Sequence, residues 1–362
     1  MRVTIHFFSG AGNTARAVSI IAKRLERSGH TVQCLFIDKD AVPPSVVSDL
    51  TVIAYPTYSW AAPSMVKRYA RQMPRSNGTR ASIFTTRGGS PDPQKDGGFA
   101  GQGLEEMARI LRKRGYDVAL TMDAPYPDTW IQAVNPPAGE EAGIIIARGD
   151  AEAERFAQAI LSGERSLYRC GAFHTAWSKT IAILFSLAGR RMLGKMFIAD
   201  RNCTSCGICA KTCPSGTISL EGADQRPSWG TNCENCCRCI NTCPENAIQF
   251  SVPLLVTHLG VQILSFVICA KVGRTAGAWS VLRRRSPVLA FTAAFAAAKA
   301  SAFFLFMLQM VPLDRILFAL SGHEKLRDFF CWSHTQGFNR YKAPGFKPLA
   351  PGLHTAIAPK KQ

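Results

Sequence analysis

Nine of the thirteen cysteines lie close together in the chain, in two runs with the same spacing. Each run reads Cys-x2-Cys-x2-Cys-x3-Cys-Pro; the first comprises Cys203, Cys206, Cys209 and Cys213-Pro214, and the second comprises Cys233, Cys236, Cys239 and Cys243-Pro244. The repeat extends beyond the cysteines, because Ile218 and Ile248 each follow the last cysteine of a run by five residues. The segment is therefore an internal duplication.

This spacing suits an iron–sulfur cube, which needs one thiolate for each of its four irons. Three cysteines at three-residue steps wrap one face of a cube, and the fourth, turned away by the proline, ligates the other cluster. The pattern predicts two [4Fe–4S] clusters, cluster I on Cys203, Cys206, Cys209 and Cys243 and cluster II on Cys233, Cys236, Cys239 and Cys213. A zinc site would leave the third cysteine and the proline without a role. Cys237, at the position of Gly207 in the first run, is predicted not to be a ligand.

The duplicated segment resembles the bacterial two-cluster ferredoxins over about 50 residues. The resemblance implies one-electron transfer rather than a structural metal site. The remaining cysteines are scattered and are expected to be small buried apolar residues: Cys34, Cys170, Cys269 and Cys331. The chain opens on a strand pattern rather than a secretory signal, so we expect a reducing, cytoplasmic compartment.

The elements that must position these groups alternate strand and helix over the first 165 residues. Strands are predicted at Val3–Phe8, Thr31–Ile37, Leu50–Tyr55, Ala81–Thr85 and Val118–Met122. Helices are predicted after the first strand and at Pro63–Gln72, Gly101–Arg114 and Asp150–Leu161. Such alternation predicts an α/β fold, a doubly wound parallel sheet covered on both faces. Its ligand should lie outside the carboxyl ends of the strands.

The loop after the first strand has the composition of an anion site. It runs through Ser9, Gly10, Gly12, Asn13 and Thr14 into a helix whose free N–H groups can face a phosphate. The loop lacks the Gly-Lys-Ser/Thr of a Walker motif, and Ala15 breaks a Gly-x-Gly-x-x-Gly pattern. A phosphate site without the Walker lysine favours a flavin mononucleotide.

Two further strand ends agree with a flavin. The loop after the third strand places aromatic side chains where a flat ring could stack, and its predicted contacts are Pro56, Thr57, Tyr58 and Trp60. The loop after the fourth strand offers backbone amides to the ring edge, from Thr86, Gly88 and Gly89. Arg87 is either a positive charge beside that ring or a solvated arginine.

With these three loops, the region resembles the flavodoxin family over about 160 residues. The resemblance implies FMN, its phosphate on the 9–14 loop and its isoalloxazine on the loops of Tyr58 and Gly88. Many flavodoxins carry Thr where this chain has Ala11, and the missing hydrogen bond is worth about 0.5–1.5 kcal/mol. A flavin-free docking domain is the alternative.

Together the two parts resemble a flavodoxin–ferredoxin fusion family over residues 1–250. The predicted domains are 1–165, flavodoxin-like; 166–197, a helical linker; 198–250, a small α+β ferredoxin-like domain; and 251–362, a basic helical region. The fusion implies electron transfer between FMN and an external redox partner through the clusters. A flavin-dependent reductase of a small organic or quinone substrate is the first alternative, and a flavin-free redox-sensing module is the second.

Residues 251–362 carry 14 Lys plus Arg against 3 Asp plus Glu, which is +11 of the net charge of +18. Two apolar stretches there, Val252–Val272 and Pro287–Val311, approach the ~20 residues that span a bilayer. His258, Lys299 and the basic loop at 271–286 oppose spanning, so the pattern favours contact with an anionic membrane at its inner face. Spanning, and helices packed on the rest of the protein, remain open. No basic–aromatic stripe favours nucleic acid, and 47% apolar content excludes a disordered chain.

Overall fold

The computed structural model describes residues 1–275, 286–309 and 312–348. The N-terminal part is a sheet of five parallel strands: β1 (Arg2–Phe7), β2 (Thr31–Phe36), β3 (Leu50–Pro56), β4 (Arg80–Gly88) and β5 (Asp117–Tyr126). Their spatial order is β2-β1-β3-β4-β5. This is the flavodoxin-like order, in which a ligand lies at the β1/β3 switch point. The predicted α/β class is confirmed for this part of the chain.

The sheet is buried because helices cover both of its faces. The first six residues of β3 are all buried, which is typical of a parallel strand between two helical layers. The covering helices are α1 (Asn13–Arg27), α2 (Ser64–Gln72), α3 (Gly103–Lys113) and α4 (Gly139–Leu161).

Helix α4 begins at Gly139, whereas the sequence pattern placed its start at Asp150. The interruption in the pattern is Gly149, which lies inside the helix. A Cβ at Gly149 would stand 2.6 Å from the Tyr126 ring, so the glycine permits close packing of α4 on β5. It does not end the helix.

Residues 197–250 form a unit with two matching halves. Strand β6 (Phe197–Ala199) pairs antiparallel with β9 (Ile248–Phe250), and β7 (Ile218–Glu221) pairs with β8 (Arg226–Trp229). Each half holds one short helix, α7 (Ile208–Lys211) or α8 (Arg238–Thr242). Equivalent positions of the two halves share a left-handed φ, namely Ser205 with Asn235, Gly207 with Cys237 and Gly216 with Asn246. The sequence duplication is thus also a duplication of backbone conformation.

Further helices flank this unit. Helix α5 (Ala172–Leu184) continues through a π-helical turn, Phe185–Gly189, into α6 (Arg190–Lys195). After β9 come α9 (Val252–Thr275), α10 (Pro287–Gln309), α11 (Pro312–Gly322) and α12 (Glu324–Phe330). Among the described residues no helix combines the length and apolar character needed to cross a membrane. Most of the basic loop predicted at 271–286, and the end of the stretch at Val311, lie outside the described residues.

The last described segment, residues 338–348, is irregular and departs from the helical region predicted there. We call it the C-terminal segment. It returns to the first β-loop, where the Ala343 amide donates to the Ala11 carbonyl oxygen at 2.9 Å. The chain therefore closes on its own N-terminal domain.

His6 on β1 makes the stability of this fold depend on pH. Burial lowers its pKa from 6.5 to about 4, and its Nδ1 lies 2.8 Å from the Tyr69 hydroxyl. Because the unfolded chain binds the proton more tightly, we expect stability to fall from pH 6.5 to about pH 4 by about 3 kcal/mol. The free energy of unfolding of His6→Gln, measured with urea, should not show this decrease between pH 6.5 and about pH 4. The partly exposed His30, changed to Gln, is the control, and equal pH profiles for wild type and His6→Gln would contradict the assignment.

Candidate functional site

A cavity of about 450 Å³ opens at the carboxyl ends of β1, β3, β4 and β5. Ten of the twelve residues predicted to bind the cofactor line it: Ser9, Gly10, Asn13, Thr14, Pro56, Thr57, Tyr58, Trp60, Thr86 and Gly88. The structure thus brings the three predicted loops to one place, because parallel strands end at the same edge of a sheet.

The two remaining glycines lie off the cavity wall. Gly12 has φ +109°, and a Cβ there would stand 2.6 Å from the Phe346 ring of the C-terminal segment. Gly89 donates its amide to the Tyr126 carbonyl oxygen at 2.9 Å, and a Cβ there would meet Pro125. Both glycines therefore serve close packing of the loops behind the cavity.

The 9–14 loop is held with its carbonyl groups turned outward. The carbonyl oxygens of Ser9 and Gly10 accept from Arg238 at 2.5 and 2.9 Å, and the Ala11 carbonyl oxygen accepts from the Ala343 amide. In the described part of the chain, the amides of residues 10–14 donate to no other protein group. With the N-terminus of α1 behind them, these amides are free to bind an anion.

Side chains of the loop are already engaged by the protein. The Asn13 side-chain amide donates to the Pro127 carbonyl oxygen at 2.8 Å, and its Oδ1 accepts from the Tyr341 hydroxyl at 2.8 Å. The Thr14 and Thr86 hydroxyls lie 2.8 Å apart. An anion bound here would therefore be held chiefly by backbone amides.

Arg87 is neither a free charge nor a solvated side chain. Its Nε donates to Asp123 at 2.6 Å and its Nη1 to Asp96 at 2.7 Å, and Arg148 joins the network at Asp96 at 2.8 Å. Two carboxylates thus balance two guanidinium groups behind the Gly88 loop. The network therefore holds the Gly88 loop in place and adds no net charge beside the cavity.

The two aromatic side chains of the β3 loop have different surroundings. Trp60, in a left-handed conformation with φ 61°, packs against Phe99 at 5.8 Å and Trp177 at 4.5 Å between ring centroids. Tyr58 packs edge-on against Phe8 at 6.3 Å, and burial raises the pKa of its hydroxyl. Trp60 thus joins an aromatic group at the cavity mouth, and Tyr58 lies deeper.

Part of the wall was missed by the sequence analysis. Residues 127–130 follow β5, and the open-sheet rule applied to that strand would have found them. Phe99, Val134, Ile181 and Phe185 add an apolar side to the cavity. Asn235 and Cys237, from the second cysteine run, also line it, and nothing local in the sequence signals that contact.

The eight predicted ligand cysteines fall into two groups of neighbours. A small cavity of about 20 Å³ is lined by the four cysteines of the first group, Cys203, Cys206, Cys209 and Cys243, and also by Cys239 of the second group. The pKa of the Cys209 thiol is raised to about 11, mainly by burial and further by its neighbours Cys203, Cys243 and Cys206. A backbone hydrogen bond partly offsets this increase.

In the second group, Cys233, Cys236 and Cys213 surround Cys239 and, after burial, raise its pKa further. These are the two sets that the spacing predicted. Thiols are the donors that iron–sulfur clusters require, although the described residues contain no group of three or more His, Cys, Asp or Glu side chains already placed to hold a metal ion.

The two groups differ in depth. Cys206 of the first group is exposed, whereas Cys213 and Cys233 of the second group are buried. Cys237, beside the second group, is 2% exposed. The scattered Cys34 and Cys331 are buried, Cys170 is half-buried, and the side chain of Cys269 lies outside the described part.

The second cysteine run packs directly on the N-terminal domain. Glu234 accepts from the first backbone amides of α2, those of Ser64 and Met65, at 2.9 and 3.1 Å. Asn241 donates to the Thr129 carbonyl oxygen at 3.1 Å. A carboxylate from one domain thus caps a helix of the other, and the cavity is closed by both domains.

The N-terminal part of the chain is similar in fold to solved flavodoxins, while no protein-family model and no curated protein matches it. A Streptococcus pneumonia TIGR4 flavodoxin is 16% identical over 45% of this chain and 99% of its own, with a TM-score of 0.31. The oxidised Flavodoxin 2 of Bacillus cereus is 14% identical over 45% and 99%, with a TM-score of 0.31. A putative quinone reductase from Klebsiella pneumoniae is 14% identical over 47% and 88%, with a TM-score of 0.30. No argument about cofactor or activity rests on values this low, and the sheet order stands on its own strand pairing.

Gly10 should be sensitive to any side chain. A Cβ there would stand 2.7 Å from the Cys236 carbonyl oxygen and 2.7 Å from the Tyr58 hydroxyl. We expect Gly10→Ala to lower the free energy of unfolding by about 1–3 kcal/mol, because the two domains must move apart to admit the methyl group. Urea unfolding measures it. Gly143→Ala, on an open face of α4, is the control, and equal stability of the two variants would show that the interface is not so close.

Proposed function

We propose that this protein is an iron–sulfur flavoprotein that carries electrons between FMN and an external redox partner through two [4Fe–4S] clusters. One observation carries the proposal: the cavity at the strand ends shares a wall with the second cysteine group. Asn235 and Cys237 lie on that wall, between the predicted ligands Cys233, Cys236 and Cys239. A flavin accepts one or two electrons and a cube accepts one, so this contact suits transfer between them.

Two parts of the cavity wall support FMN as the ligand: the 9–14 loop for its phosphate and the loops after β3 and β4 for its ring. The amides of the 9–14 loop would hold the phosphate, in the absence of any lysine from a Walker motif. Thr57, Tyr58, Thr86 and Gly88 would border the ring, as the flavodoxin resemblance implies. The missing hydroxyl at Ala11 matters less here, because amides rather than side chains are free to bind the phosphate.

Three properties of the predicted ligand cysteines support two clusters: there are eight of them, they form two groups of four, and the two groups differ in exposure. The matching halves of 197–250 favour the ferredoxin-like interpretation over zinc, because each half supplies three neighbouring thiols and lends its fourth to the other. Cluster II would lie against the cavity. Cluster I would lie at the surface beside the exposed Cys206, so the external partner is proposed to dock there.

A flavin-dependent reductase of a small organic or quinone substrate is the second candidate. The favouring observation is the apolar side of the cavity, formed by Phe99, Trp130, Val134, Ile181 and Phe185. Such a lining would accept a flat apolar molecule beside the ring. Turnover of a quinone with a chemical reductant would support this candidate.

Cofactor content tests the main proposal. Full-length protein purified anaerobically should contain about eight irons per chain and release one FMN on denaturation. Cys209→Ser and Cys239→Ser should each lose about half of the iron, because each removes one ligand of a different cluster. Cys170→Ser, outside both groups, is the control.

Two outcomes would contradict the proposal. Zinc in place of iron and acid-labile sulfide would remove the electron carrier. A colourless supernatant after denaturation would remove the flavin and favour the redox-sensing module.

We also propose that the C-terminal helices rest on an anionic membrane surface. Helices α9 and α10 pack on each other yet leave large apolar side chains exposed, among them Val256, Ile263, Leu264, Phe291 and Phe304. The same third of the chain holds +11 of the net charge. Apolar side chains with an excess of basic residues match the boundary of an anionic bilayer.

Vesicle flotation tests this surface. The protein should float with phosphatidylserine-containing vesicles, less so at high salt, because basic side chains contribute part of the binding. The double variant Phe291→Gln/Phe304→Gln should bind at least tenfold more weakly, since two buried rings are worth about 1.5–3 kcal/mol each. Val42→Gln, 80% exposed on the N-terminal domain, is the control. Equal flotation with uncharged vesicles, or none, would count against the proposal.

A further inference from the structure

The two cysteine runs differ at one chemically important position. Between the second and third cysteines, the first run has Gly207-Ile208 and the second has Cys237-Arg238. Ile208 is 37% exposed, whereas Arg238 is 1% exposed and is the largest fully buried side chain of the described residues. A duplicated unit has therefore acquired a buried cation in the half that faces the N-terminal domain.

Arg238 joins three separate parts of the chain. Its guanidinium donates to the Ser9 and Gly10 carbonyl oxygens, and its Nη1 donates to the Thr212 carbonyl oxygen at 2.8 Å. Thr212 immediately precedes Cys213, the fourth ligand predicted for cluster II. One planar side chain thus bridges the phosphate loop and both cysteine runs, a geometry that a lysine cannot reproduce.

These three acceptors are neutral, so they satisfy the N–H groups of Arg238 without balancing its charge, and within the protein the buried carboxylate of Asp38 lies close enough to attract the guanidinium. The guanidinium also lies over the rings of Phe36 and Phe346, at 5.3 and 5.6 Å from their centroids. Burying a cation costs several kcal/mol unless negative charge lies near it. In the proposed holoprotein negative charge arrives on both sides, as a phosphate in the 9–14 loop and as thiolate-held iron at Cys236 and Cys213.

By holding two carbonyl groups, Arg238 also sets the direction of the loop amides. A peptide plane whose carbonyl points toward Arg238 points its N–H the other way, and Gly10 and Ala11, which carry these amides, line the cavity. The side chain therefore prepares the anion site without touching the anion.

We propose that Arg238 is a positioning residue that couples the flavin phosphate site to cluster II and raises the reduction potential of that cluster. The proposal rests on the function proposed above. It follows that each cofactor favours the binding of the other, because coupling between two sites is reciprocal. A fixed positive charge also stabilises the reduced cluster, which carries one more negative charge than the oxidised cluster. Cluster I would have Ile208 in the same position, and the arginines that act on its cysteines, Arg226 on Cys203 and Arg340 on Cys243, come from other elements.

The experiment uses the full-length protein, reconstituted anaerobically, with Arg238→Gln, Arg238→Lys and the control Ile208→Gln. Three quantities are measured: iron per chain, the dissociation constant for FMN added to flavin-stripped protein, and reductive titration followed by electron paramagnetic resonance. Arg238→Gln should weaken FMN binding at least tenfold, the effect of losing one charge-assisted hydrogen bond. It should also move one of the two cluster transitions to lower potential. Arg238→Lys keeps the charge, so it should weaken FMN binding and leave both transitions in place.

Several outcomes would overturn the proposal. One is an Arg238→Gln variant with full iron content, wild-type FMN affinity and unmoved transitions. If Arg238→Gln loses iron, the positioning role is tested with Arg238→Lys instead. Wild-type FMN affinity in Arg238→Lys would then refute that role. An equal effect of Ile208→Gln would show that the position, not the cation, matters. Failure of the proposed function is seen separately, as wild-type protein that takes up no iron or no FMN.

Discussion

The structure depends on the close approach of the second cysteine run to the loop after β1. Gly10 has no room for a Cβ because the Cys236 carbonyl group and the Tyr58 hydroxyl occupy that space. Arg238 and the Ala343 amide then fix three successive carbonyl groups of the loop. This one contact holds the loop in place, helps to close the cavity and brings Asn235 and Cys237 of the second cysteine run to the cavity wall.

The N-terminal fold and most of its cavity could be predicted because the signals are local. Strands such as β3 are mostly apolar, and helices such as α1 carry an apolar stripe, so the alternation of strands and helices can be recognised in the sequence. Parallel strands end at one edge, so loops distant in sequence can be assigned to one site. The spacing also predicts which cysteines share a cluster, because the proline after the fourth cysteine of each run turns that ligand toward the other group, and this assignment stays a prediction.

The rest depends on packing between distant parts of the chain, which leaves no periodic pattern. Arg238 lies 228 residues from the Gly10 carbonyl that it binds, and Tyr341 lies 328 residues from Asn13. Either residue reads in the sequence as an ordinary surface side chain. The start of α4 was predicted too late, at Asp150, because the Tyr126 ring that explains Gly149 inside the helix comes from another element. The loop after β5 is different, since the open-sheet rule was sufficient to find it.

The asymmetry of the duplication follows from what each half contacts. The first half faces outward, where Gly207 adopts a left-handed φ of 71° at no steric cost and Ile208 is partly exposed. The second half faces the N-terminal domain, and its Cys237 holds a left-handed φ of 52° only because packing imposes it. Under the proposed function, one cluster would lie at the surface and the other against the cavity. A partner protein would then exchange electrons with the first, because Cys206 is exposed whereas Cys213 and Cys233 of the second group are buried.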